Sequence, residues 1–332
     1  MHPYRDSWSP LGLSPVSPMN RQFVDAASAF WLAKHRMKSA YSALRDWAER
    51  YRYPSFGTDL ISGDAASRLI YDAVEGGIPS LVSRLGSVES RLLGEYLYRS
   101  GSYSRLTYLQ AHNNAGIFPV SQLGLSQAAE RLYAASGQVD LLGQWQSPYQ
   151  ARLISEQLLP AKFTALSSIE PWWADRPWTH ALKGKKVLVI HPFVRTIVDQ
   201  YQRRTELFSS AHLLPDFSLF VLKPPQTLGG QTEAFGSWTQ ALDDLVGKVR
   251  AVDFDVALIG CGAYGLPLGA AIKAMGKPSI HLGGALQLLF GIRGRRWEAM
   301  PQYAALMNDS WVRPSQDETP VAANKVDGGC YW

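Results

Sequence analysis

The chain has 332 residues, 46% of them hydrophobic and 18% charged, so it can bury a sizeable core in one large domain or two. Two cysteines are too few for a disulfide framework or a zinc site, and a net charge of +5, from 33 basic and 28 acidic residues, is too mild and scattered for a nucleic-acid binder. That charge suits a polyanionic ligand or an acidic membrane surface, and the lack of any apolar window of about 18 residues, or of a secretory signal, points to a cytoplasmic protein.

Residues 1–20 carry four prolines and four serines without periodicity and read as an arm. From Phe23 to Tyr51 apolar residues recur every three or four positions, the pattern of a long amphipathic helix. Its stripe could meet a second copy in a homodimer, rest on a membrane through its arginines and lysines, or pack on its own domain. The segment "AASRLIYDAVEGG" then predicts a helix with Asp64 as N-cap and Gly76 at its C-terminal end.

"PSLVSRLG" from Pro79 predicts a short strand ending in a turn, and "VESRLLGEYLYRSG" a helix that starts there. A further helix, "AAERLYAASG", precedes a short strand in "VDLLGQW". "AHNNAGIFP" offers Asn113 and Asn114, whose amides could read a base or a sugar hydroxyl, or simply form a turn. Trp172, Trp173 and Trp178 crowd one connection, as a platform for a sugar ring or as core.

Three apolar runs follow, Lys185 to Phe193, Phe217 to Lys223 and Asp255 to Gly260, with "SIHLG" from Ser279 as a fourth strand. Helical stretches separate them. This alternation predicts an α/β, Rossmann-like domain over residues 59–312: an open, mostly parallel sheet with helices on both faces, preceded by the arm and long helix of residues 1–58. "FGIRGRRWEAM" gathers Arg293, Arg295 and Arg296, which could reach phosphates or be a solvated cluster. Residues 313–332 read as a polar tail.

Ligands of such sheets sit outside the carboxyl ends of the strands, where four turns draw attention. Gly260-x-Gly262-x-x-Gly265, with Tyr264 inside it, lies between a predicted strand and helix and would let backbone N–H groups approach phosphate; a tight turn that packs helix on sheet would look the same. A dinucleotide fold needs an acid at the end of the next strand, and His281, Leu282, Gly283 and Gly284 stand there instead. His191 and His281 end neighbouring strand candidates, placed to act as acid, base or phosphate donor, or as structural histidines. Cys261 fills space as a small residue.

The fourth turn is Arg84-Leu85-Gly86-Ser87-Val88-Glu89. Together with Gly260 to Gly284 it resembles the GT-D type of glycosyltransferase, whose pattern after the first strand is Arg-Phe-Gly-Asp-Gly-Glu; the resemblance covers roughly residues 60–300. It implies transfer of a sugar from a nucleotide diphosphate sugar to a glycan or glycolipid acceptor in bacterial surface polysaccharide assembly. It also implies a Mg²⁺ or Mn²⁺ ion held by an Asp-x-Glu pair, of which Glu89 is present and Ser87 replaces the first acid. One carboxylate and a hydroxyl can still join a shell completed by diphosphate and water. Glu89, His191 and His281 are then the catalytic candidates, with Glu89 also the metal ligand. Arg84, Gly86, Ser87, Gly260, Gly262, Tyr264, Gly265 and Gly283 would bind the nucleotide sugar. Two other readings stay open: a nucleotide-sugar binding protein without catalysis, favoured by Ser87, and a nicotinamide-dependent oxidoreductase.

Overall fold

Serines start several of the helices because their hydroxyls satisfy an otherwise unpaired first-turn N–H. In the computed structural model, which describes residues 60–156, 161–228, 235–320, 323, 326 and 328–332, Ser62 accepts from the Ala65 amide and opens α1 (Gly63–Glu75). The cap is therefore Ser62 and not Asp64, which becomes a first-turn acid, while Gly76 closes the helix as expected. Ser104 and Ser121 cap α3 (Arg105–Asn113) and α4 (Gln122–Ser136) in the same way. The predicted Phe23 to Tyr51 helix, with its dimer and membrane readings, lies outside the described residues.

Seven strands form one all-parallel sheet in the order β3-β2-β1-β7-β6-β4-β5. They are β1 (Leu81–Ser83), β2 (Leu141–Gln144), β3 (Lys162–Ala165), β4 (Lys186–Ile190), β5 (Ser218–Leu222), β6 (Val256–Ile259) and β7 (Ser279–His281). The four strands expected in the second half are present, and β3 is an addition at the opposite edge. Alternation along the strands feeds two cores. Val187, Val189, Val256 and Leu258 pack with α1 and with α6 (Val194–Gln202) on one face. Leu188, Ile190, Ala257 and Ile259 pack on the other with α4, α2 (Ser87–Tyr98), α5 (Gln150–Ser155), α7 (Trp238–Arg250) and α8 (Gly265–Ala274). The central strands are buried on both faces, which is why they read as unbroken apolar runs.

The protein thus has a Rossmann-like α/β fold with helices on both faces of a parallel sheet. From β4 the chain runs outward to β5 and returns on β4's other side as β6. This reversal opens a crevice above the carboxyl ends of β4 and β6. The segment after Arg313 is a structural part of the domain: Glu318 accepts hydrogen bonds from the Arg195 amide (2.6 Å) and Thr196 amide (3.2 Å) at the start of α6, so it does not stand apart as a polar tail. Among the described residues no helix is long and apolar enough to cross a membrane.

Candidate functional site

Register brings the predicted turns together. Ser83 of β1, His281 of β7, Ile259 of β6 and Ile190 of β4 stand level across four strands, so Arg84, Leu282, Gly260 and His191 emerge side by side along one edge. The pairing continues one residue beyond the strands, with the Gly260 amide donating to the Ile190 carbonyl (2.8 Å) and the Leu282 amide to the Ile259 carbonyl (3.1 Å).

Above β4 and β6 lies a small cleft of about 90 Å³, open to solvent, smaller than a pocket that would enclose a whole small-molecule ligand. Of the predicted residues His191, Gly260, Gly262 and Tyr264 line it, as do Asn114 and Cys261. The glycines have separate reasons. A Cβ on Gly260 would lie 2.6 Å from the His191 ring and 2.9 Å from the Gly283 carbonyl, and one on Gly265 would strike the His281 ring, so these two permit close packing. Gly262 has φ of 59° and nothing within 4 Å of the space a Cβ would take, so its backbone faces open cleft just before α8 begins. Only this glycine has the geometry of a phosphate-approach position.

Both histidines are buried and neutral. Burial lowers the His191 imidazole to about 3, and burial together with the charge of Arg84 does the same for His281. His191 Nδ1 accepts the Phe193 amide hydrogen (3.1 Å), which assigns the ring proton to Nε2. Its chemistry in the cleft is hydrogen-bond donation. His281 Nδ1 lies 3.0 Å from Ser83 Oγ, and its ring is packed against Gly265, a structural placement between strand and helix. Burial also pushes the Cys261 thiol well up, so it is an inert lining group.

Arg84 is half-buried beside the cleft. Its side chain passes Gly283, whose absent Cβ would sit 3.3 Å from Cδ, and its guanidinium lies 5.5 Å from the centre of the Trp145 ring. Among the described residues no carboxylate comes within 4 Å of it, so the cation is available to an anion. Glu170 is near enough to feel its charge. That carboxylate is buried, accepts from Trp173 Nε1 and the Tyr303 hydroxyl (both 2.8 Å), and is raised by burial against the pull of those bonds and of Arg84.

Gly86, Ser87 and Glu89 are separate from the cleft. They form the first turn of α2, where the Glu89 carboxylate folds back over Gly86 so closely that a Cβ there would collide with it. An acid in this position is favoured by the helix's free N–H groups. Among the described residues no three His, Cys, Asp or Glu side chains gather as a metal site. One carboxylate already engaged at a helix start does not fit a resident divalent ion.

Several cleft residues escaped sequence reasoning. Gln226, Gln287, Tyr331 and Trp332 line it beside Phe193 of the His191 turn, two of them from the supposed tail. Their signal was available in "GGCYW", where two large aromatics end a polar stretch. The other candidates went elsewhere. Trp178 is core, donating to the Ile169 carbonyl, Trp173 serves Glu170, and Arg293 donates to the Asn308 carbonyl. A second cavity, between α1 and the loops leading into β4 and β5, is lined by Asp64, Arg68, His180 and His212 and lacks any glycine turn.

No family model matches the chain, and neither curated proteins nor solved structures show significant similarity to it.

Proposed function

We propose that the protein is a glycosyltransferase of GT-D type, moving a sugar from a nucleotide diphosphate sugar to a glycan or glycolipid acceptor in bacterial surface polysaccharide assembly, in the cytoplasm or at a membrane surface. The observation that carries this reading is the cleft at the reversal between β4 and β6, with the open backbone of Gly262 and the start of α8 at its floor. Backbone N–H groups of the Gly260 to Gly265 turn meet the diphosphate, and the Nε2–H of His191 adds a neutral donor. Arg84 supplies positive charge toward the leaving group, beyond Gly283.

A second reading, nucleotide-sugar binding without transfer, is supported by the absence of a ready base among these groups: both imidazoles are held neutral by burial and Glu89 is folded over Gly86. Glu170, with its raised carboxyl, is the remaining acid beside Arg84. The oxidoreductase reading is weaker, because buried Leu282 and His281 occupy the place of a ribose-binding acid.

Thermal-shift assays with UDP, GDP, dTDP, NAD and NADP, each with and without Mn²⁺, test the proposal. One nucleoside diphosphate should raise the melting temperature by several degrees, as expected for a ligand at about a hundred times its Kd. Stabilisation by NAD or NADP alone would overturn it. Release of the same diphosphate from its sugar conjugate, measured over time, separates a transferase from a binding protein.

A further inference from the structure

The edge of the sheet is chemically polarised across the cleft. On the β4 side the lining is apolar and aromatic, with Phe193 and Trp332 in edge-to-face contact at 6.2 Å between ring centres. On the β1 side, past Gly283, come the guanidinium of Arg84, with no carboxylate within 4 Å among the described residues, and the buried carboxyl of Glu170. The open glycine turn lies between the two.

The aromatic wall is built into the domain by residues far away in sequence. Gly284 leaves room for the Tyr331 ring, which would collide with any Cβ there. Gln287 Nε2 donates to the Tyr331 carbonyl (3.1 Å), and the Arg296 amide to the Cys330 carbonyl (3.1 Å). The guanidinium of Arg296 lies 4.8 Å from the centre of the Tyr331 ring, and Tyr331 in turn meets Trp332 edge to face at 5.9 Å. Two side chains and one glycine therefore hold residues 330–332 against the cleft.

We infer that Trp332 is the base-recognition residue: the ligand lies with its nucleobase stacked on Trp332 over β4, its diphosphate on the Gly260 to Gly265 turn, and its transferable group directed toward Arg84 and Glu170. A flat π-surface is what an aromatic ring of either purine or pyrimidine type can cover, whereas the reacting end needs the charged groups. This assignment rests on the nucleotide-binding reading above and adds the direction in which the ligand lies.

Calorimetry on the full chain with UDP, GDP, dTDP, CDP, ADP and inorganic pyrophosphate tests it. Trp332→Ala should weaken the tightest nucleotide by about tenfold or more, the scale of a lost base–aromatic stack. Trp332→Phe should stay within about threefold of wild type, and pyrophosphate, which has no base, should bind all three proteins alike. If Trp332→Ala weakens pyrophosphate as well, Trp332→Leu, which keeps apolar bulk without an aromatic face, decides between the same outcomes. Unchanged nucleotide affinity without the indole, or an equal loss for pyrophosphate in the leucine variant, overturns the stacking assignment and leaves nucleotide binding intact. A wild-type protein that binds none of the five nucleotides overturns both.

Discussion

His191 and His281 sit at the ends of β4 and β7, which β6 separates, yet are governed mainly by one effect, the cost of charging an imidazole away from water. Each falls from an ordinary value of 6.5 to about 3. Above pH 6.5 neither the folded nor the unfolded chain protonates them, and their contribution is constant. As pH falls from 6.5 toward 3 the unfolded chain takes up protons that the folded protein refuses, so stability falls, by up to about 1.4 kcal/mol per pH unit for each histidine. Urea unfolding should give a lower free energy at pH 5 than at pH 7, and His191→Gln should flatten part of that slope. A wild-type slope that the substitution leaves untouched would mean that His191 titrates normally. The identity of both residues was legible in the sequence, since each follows an apolar run. Their burial was not, because it depends on Gly260 and Gly265 bringing other segments against the rings.

At the scale of elements, apolar runs located β4, β5, β6 and β7 to within a residue or three, since a parallel sheet covered on both faces demands such runs. β3 gave no such signal. It is an edge strand that pairs only with β2 within the sheet, and of its four residues only Thr164 is buried, so "KFTA" carries no distinctive pattern. The helix starts follow capping chemistry, with Ser62 taking the place predicted for Asp64 because a hydroxyl one turn back reaches the Ala65 amide. Helical glycines allow a paired prediction. Gly247 in α7 is exposed with no atom within 4 Å of its missing Cβ, so Gly247→Ala should stabilise by about 0.5–1 kcal/mol through backbone entropy. Gly265 at the start of α8 has the His281 ring where a Cβ would go, so Gly265→Ala should destabilise by about 1–3 kcal/mol despite the same propensity gain. Chemical denaturation of both variants checks the pair, and two shifts of the same sign would contradict the packing described at Gly265.

The whole molecule holds what no local pattern contains. Strand order decides where the chain reverses, and it sets the cleft over β4 and β6, with Arg84 to one side of it and the first turn of α2 beyond. Sequence spacing put the glycine turn, His191 and Arg84 at strand ends, which the register confirms as one edge. It could not show that the Glu89 carboxylate folds back over Gly86 at the start of its own helix, nor that Tyr331 returns across more than 40 residues to Gly284. Those contacts are long-range, and a composition that reads as a polar tail hides them. The reversal between β4 and β6 is the proposed nucleotide site. The most direct measurement is a crystal structure of the protein soaked with whichever nucleoside diphosphate stabilises it most. The diphosphate should lie on the backbone of Gly260 to Gly265 within hydrogen-bond reach of His191 Nε2. Density instead in the cavity beside α1, His180 and His212 would contradict the claim.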